Sequence, residues 1–157
     1  MTTDIPKQNS GDYEEPWALY GCRALALAAI AQIDAERVIP PRKLQQALDD
    51  LSVDGSIVNG ETAATGRNEH EIIRRAFELT GSTKRGRQVG VRNADGSGWQ
   101  ADAEHDYQIV QFPTSGSVGT HFVLCDNESR VLYDPWQGDD LISGDAERWL
   151  LYRVWEG

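Results

Sequence analysis

A chain of 157 residues with 39% hydrophobic and 25% charged content has room for one core and little for a second. Its formal net charge of −10 argues against a nucleic-acid-binding role, because neutralising phosphates needs a basic face. There is no internal repeat, and the longest apolar stretch, residues 24–33, is interrupted by Gln32 and far short of the ~20 residues of a membrane span.

Residues 1–11 are polar and are expected to stay flexible until something pins them, with residues 12–157 forming a single domain. The opening residues lack a basic region followed by an apolar one, which points to the cytoplasm. The two cysteines, Cys22 and Cys125, lie far apart without the spacings of a disulfide scaffold or a zinc site, so both are expected as free thiols and no cofactor is implied.

Residues 22–33 are rich in Ala and Leu and apolar almost all round, which predicts a buried central helix. Gly21 stands just before it, where a turn residue is expected. Pro41 opens a second helix over residues 42–51, with Leu44, Leu48 and Leu51 on one face. Residues 52–67 read as a loop. A third helix is predicted over residues 68–79, capped by Asn68 and stopped by Gly81, with Ile72, Ile73, Ala76 and Leu79 as its buried stripe. The one basic stretch, Lys84-Arg-Gly-Arg87, reads as a solvated turn.

Strands dominate the second half. A short one is predicted over residues 88–91, then a turn at Asp95-Gly-Ser-Gly98 and a strand over residues 107–112 ending at Pro113. A Gly/Ser loop at residues 114–119 leads into a strand at residues 121–125. Asp126-Asn-Glu-Ser129 forms a hairpin turn, residues 130–134 return, and residues 149–155 close the chain as a strand. Helices first and antiparallel strands second is the α+β pattern.

Three residues carry the chemistry. Cys22 begins the buried helix, where unpaired N–H groups and the helix dipole favour a thiolate nucleophile. His121 begins an apolar strand, a position that fixes an imidazole at the rim of a sheet. Asp134 lies thirteen residues further on, across the hairpin, where it can accept the imidazole N–H and fix its tautomer. Taken singly, these read as an apolar core thiol, a satisfied structural histidine and a turn residue before Pro135. In the order Cys, His, Asp they read as a catalytic set. His70 and His105 look solvent-facing. Cys125 falls on the face of His121 by period-two counting, and an ordinary buried thiol is its simplest reading.

The stretch Pro16-Trp-Ala-Leu-Tyr-Gly-Cys-Arg-Ala-Leu-Ala-Leu-Ala-Ala29 resembles the nucleophile motif of the double-glycine (bacteriocin-processing) peptidase-like group within the papain-like cysteine peptidases. The stretches His121-Phe-Val-Leu-Cys-Asp126 and Val131-Leu-Tyr-Asp-Pro-Trp136 resemble its His…Asp-Pro block. The resemblance implies a papain-like α+β fold, with Cys22, His121 and Asp134 on the three catalytic positions. It also implies an upstream Gln whose amide binds the oxyanion, for which Gln8 in Ile5-Pro-Lys-Gln8 is the candidate. Gln8 lies fourteen residues before Cys22, with the carboxylates Asp12, Glu14 and Glu15 nearer, and Arg23 stands where the group has small residues. Trp17 and Trp136 flank the nucleophile and the Asp and are candidates for the cleft wall, with plain packing as the alternative.

The expected activity is a cysteine peptidase or amidase acting through a thioester on a peptide or protein substrate. The alternative is a catalytically impaired scaffold of bacterial or phage origin that binds or regulates a protein. Neither nucleic acid nor a membrane is expected as a partner. A metal site built from His and Cys lacks the ligand spacing.

Overall fold

Helix α1 (Cys22–Asp34) is buried at ten of the eleven positions 22–32, Arg23 being the exception, as an Ala/Leu-rich segment apolar on every side must be. The computed structural model describes residues 5–14, 22–53, 69–101, 104–114, 120–136, 138 and 141–157. The predicted cap Asn68, residues 15–21, residues 54–67 of the loop predicted over 52–67 and residues 115–119 of that predicted over 114–119 lie outside that set, while Ser52 and Val53, expected in the first loop, continue a helix. The buried Gln32 near the end of α1 is satisfied locally. Its Oε1 accepts from Ile39 N at 2.9 Å and its Nε2 donates to Ala28 O, which closes the turn into α2.

Helix α2 (Pro41–Val53) starts on Pro41 as expected and buries Leu44, Leu48 and Leu51. Helix α3 (Glu69–Leu79) buries Ile72, Ile73 and Ala76, with Phe77 completing the stripe and Leu79 only partly covered. Gly81 terminates it in a left-handed conformation, φ 84°, while Ser82 N bonds back to Phe77 O.

The strands are β1 (Arg85–Asn93), β2 (Gly98–Gln100), β3 (Tyr107–Pro113), β4 (Thr120–Asp126), β5 (Val131–Tyr133) and β6 (Arg148–Trp155). They form one antiparallel sheet in the order β2-β1-β6-β3-β4-β5. The architecture of the described residues is therefore α+β, three helices with a six-stranded antiparallel sheet. The last strand, β6, inserts between β1 and β3. That pairing corrects the reading of the basic stretch, since Arg85, Gly86 and Arg87 are ladder residues opposite Trp155, Val154 and Arg153. Local composition suggested a turn because the pairing partner comes from the other end of the chain.

The main core lies between α1 and the sheet, where Cys22, Leu25, Phe122, Leu124, Tyr133 and Tyr152 join one apolar cluster. Among the described residues no helix is long and apolar enough to cross a membrane.

Candidate active site

Two hairpin strands and one helix end deliver the predicted side chains to one place. Cys22 opens α1 and is buried, and its thiol donates to Thr120 O at 3.8 Å, on the residue just before His121. His121 is the second residue of β4 and is 1% exposed. Its Nε2 lies 2.6 Å from Asp134 Oδ1. Asp134 is the first residue past β5, where Pro135 ends the ladder by removing an N–H. The same Oδ1 also accepts from Trp136 N at 3.0 Å, so the carboxylate is held by a backbone donor as well as by the imidazole.

The other imidazole nitrogen, Nδ1, is buried and has no hydrogen-bond partner among the described residues. Such a nitrogen costs free energy unless something else uses it. Burial by itself would strip the proton from His121. The hydrogen bond to Asp134, the nearby Cys22 sulfur and the negative charge those two groups can carry outweigh that and push the imidazole up to about 9. The folded imidazole thus keeps its proton to about 9 and the unfolded one only to about 6.5. The contact stabilises the fold fully below 6.5, and that contribution is lost as pH rises through 9.

Residues 5–8 are pinned against this end of the sheet. Ile5 enters the core, Tyr133 OH donates to Pro6 O at 2.8 Å, and Lys7 Nζ donates to Asp134 O at 2.7 Å. Lys7 also stands over the Tyr133 ring at 5.5 Å. Gln8 N donates to Pro135 O at 2.7 Å, and Gln8 is 1% exposed. Despite its distance in sequence, Gln8 is therefore carried into the interior beside the Asp134–Trp136 backbone. The nearer carboxylates behave differently: Asp12 is exposed and bonded to Ser10 Oγ, and Glu14 is exposed with its N–H on Gln45. Glu15 and Trp17 lie outside the described residues. Trp136 is partly buried, and the contact it makes with Asp134 is through its backbone N–H.

Lys7 was given no role by the sequence, because nothing local marks a lysine that bonds a carbonyl 127 positions away. Replacing it should loosen the segment that carries Gln8. Lys7→Ala is expected to lower stability by about 1 kcal/mol and to speed amide exchange at Gln8, with the β3–β4 ladder unaffected. Hydrogen exchange followed by NMR reads both.

Arg23, next to Cys22, has a buried partner. Its guanidinium donates to Glu69 at the start of α3, Tyr152 OH donates to the other oxygen of the same carboxylate, and the Arg23 guanidinium lies 5.4 Å from the centroid of the Phe122 ring. Glu69 is 2% exposed. Burial raises its pKa, and Arg23 works against that rise. Nothing in the sequence announces this cluster, whose members sit 46 and 83 positions apart.

Cys125 packs with Val110 and Val123 in a separate small cluster. Burial, then Asp126 and Asp134, push its thiol up to about 11, which makes it inert near neutrality. His70 is solvent-exposed as expected, whereas His105 is half-buried with a ring nitrogen 3.2 Å from Gln108 Nε2. Among the described residues no group of three or more His, Cys, Asp or Glu side chains is placed to hold a metal ion.

No protein-family model matches this sequence, and neither a curated protein nor a solved structure matches it.

Proposed function

We propose that the chain is a papain-like cysteine hydrolase, a peptidase or amidase, with Cys22 as nucleophile, His121 as acid and base, and Asp134 as the residue that orients the imidazole. The observation that carries this reading is the state of His121. One nitrogen is held by Asp134 at 2.6 Å, and the other is buried and unpartnered on a ring that interacts with Cys22. A protonated imidazole beside a thiol stabilises the thiolate, the attacking species.

In the reaction the Cys22 thiolate attacks the substrate carbonyl carbon and the C=O electron pair moves to oxygen. As the tetrahedral intermediate collapses, the C–N bond breaks and His121 Nδ1 gives its proton to the departing nitrogen. This leaves an acyl thioester on Cys22. The neutral His121 then takes a proton from water as the water attacks the thioester. When the C–S bond breaks, the acid is released and the thiolate–imidazolium pair returns. Asp134 holds the ring in one orientation throughout and does not exchange its own proton. The oxyanion is to be met by the Gln8 amide together with the backbone N–H of Cys22 at the start of α1.

A screen of peptide, amide and isopeptide substrates tests the proposal, with Gln8→Ala as the diagnostic variant. Loss of one oxyanion donor should lower kcat by about 100-fold or more while leaving alkylation of Cys22 unchanged. Equal turnover in the two proteins would remove Gln8 from the mechanism. If the whole screen is silent and Cys22 is unreactive, the second reading holds, a peptidase-like scaffold that binds a protein. The exposed carboxylates Asp12 and Glu14 on the segment carrying Gln8 favour that reading.

A further inference from the structure

The face of the sheet turned away from α3 takes no part in the candidate active site, and over β1 and β6 it is basic. Gly86 marks the opposite face, since a Cβ there would stand 3.0 Å from Ile73 Cγ2 of α3. Alternation then turns Arg87 away from α3, together with Arg153, its partner in the ladder. By simple counting Arg92 would fall on the other side. The bulge between Gln88 and Gly90 adds one residue to β1 and returns Arg92, opposite Trp149, to the face of Arg87. We propose that this face docks an extended acidic segment of a partner protein, with Arg87, Arg92 and Arg153 as its contacts.

Charge is the first argument. The three arginines are exposed, and among the described residues none of them forms an ion pair, in a chain with 25 acidic residues against 15 basic ones. Arg87 and Arg153 also stand directly opposite each other on neighbouring strands, an arrangement that like charges make unfavourable. Solubility does not call for it, because the net charge of −10 already keeps molecules apart. A carboxylate laid between the two guanidiniums turns their repulsion into attraction.

Pre-organisation is the second. The Arg87 guanidinium lies 5.6 Å from the centroid of the Trp155 ring, and that of Arg92 lies 5.1 Å from the centroid of the Trp149 ring. Such contacts limit the rotamers of both arginines before a partner arrives and leave N–H groups for a carboxylate. The rest of this face is already covered. Ile142 and Ala146 pack with Val110, Val123 and Trp149 and close it over β3 and β4, whereas the arginines of β1 and β6 stay exposed.

Spacing then selects the partner. Arg153 and Trp149 are four positions apart on β6, which is about 13 Å along an extended chain. Carboxylates at a similar spacing on an extended segment therefore meet the Arg87–Arg153 pair at one end and Arg92 at the other. Between them Leu151 lies over Gly90, where a Cβ would stand 3.0 Å from Leu151 Cδ1. A cavity of about 240 Å³ adjoins Leu151, Arg92 and the exposed Trp99, with room for one apolar side chain between the carboxylates. A nucleic acid fits less well, because three guanidiniums neutralise few phosphates and the remaining charge of the chain repels a polyanion.

Fluorescence anisotropy of a labelled peptide of about nine residues, with a pair of Glu on either side of a central Leu, tests this on the full chain at about 0.15 M salt. Expected is saturable binding with a dissociation constant at or below about 100 μM, absent for the same peptide with Gln in place of Glu. Arg87→Gln, Arg92→Gln and Arg153→Gln should each weaken it about threefold or more, and all three together should remove it. Arg42→Gln, at an exposed position of α2, should leave it unchanged. The proposal is overturned if the peptide does not saturate by about 1 mM, if the triple variant binds as well as the native chain, or if Arg42→Gln weakens binding as much. Tighter binding of a single-stranded oligonucleotide of equal charge would overturn it in favour of nucleic acid. Sedimentation of the protein alone covers the remaining occupant, since a dimer that the triple variant dissociates would assign the face to a second copy and overturn the proposal. The indole N–H signals of Trp149 and Trp155 report whether each variant is folded, and none of these outcomes bears on the Cys22 reading.

Discussion

Cys22→Ala is expected to abolish turnover and leave the fold intact, and Cys22 itself is expected to react rapidly with iodoacetamide at mildly acidic pH. The first half follows from the chemistry, since alanine offers no electron pair to the carbonyl. It also follows from packing, because Cys22 is a small side chain in the main cluster and removing its sulfur leaves little space. The second half follows from His121. An imidazole that keeps its proton to about 9 supplies a cation beside the sulfur through the whole neutral range. His121→Ala removes that cation, and alkylation near pH 6 should fall by about tenfold or more. Asp134→Asn should give an intermediate loss, because the ring stays but its charged partner goes. Cys125→Ser is the background for these measurements, its native thiol being pushed up to about 11 and silent under the same conditions. The binding-scaffold reading predicts the opposite pattern, with slow alkylation of Cys22 that His121→Ala does not alter. Unchanged turnover in Cys22→Ala would remove the proposed mechanism altogether.

Parts of this arrangement were legible in the sequence because their causes are local. An Ala/Leu run apolar on all sides has to be buried, and α1 is. A Leu stripe at helical spacing and a glycine after the last apolar residue fix α2 and the end of α3. The hairpin turn at Asp126-Asn-Glu-Ser129 sets β4 against β5, so an imidazole at one end and a carboxylate at the other meet without help from the rest of the chain. What could not be read depends on partners far away in sequence. Arg85 and Arg87 belong to a strand only because β6 arrives beside them, and Gln8 is near the Asp134 segment only because Lys7 and Tyr133 tie the segment down. Arg23 looked out of place beside a nucleophile for the same reason, since its carboxylate partner begins a different helix.

That partnership carries the largest stability effect expected outside the apolar core. Arg23→Ala should destabilise the fold by about 3 kcal/mol, because it leaves the Glu69 carboxylate buried without its counter-charge. Tyr152, fully buried, can still donate one hydrogen bond, but one neutral donor does not replace a guanidinium. The pH dependence identifies the cause. Burial already raises Glu69 above its usual 4.5, so the folded state holds that proton more tightly than the unfolded chain does. This favours folding at pH below 4.5, and the benefit is lost as pH rises through the folded value. Removing Arg23 takes away what opposes the rise. The deficit of the variant should therefore be greatest near neutrality and shrink as the solution is acidified. Glu69→Gln in the Arg23→Ala background removes the stranded charge and should recover much of the loss in chemical denaturation, with the amide still able to accept from Tyr152. If the double variant is no more stable than Arg23→Ala, the cost lies in lost packing on the Phe122 ring and not in charge. The same pair of variants separates stability from chemistry. Arg23 adjoins Cys22, and Phe122 adjoins His121, so a fold restored without Arg23 but with slow Cys22 alkylation would show that the guanidinium positions the nucleophile against its base.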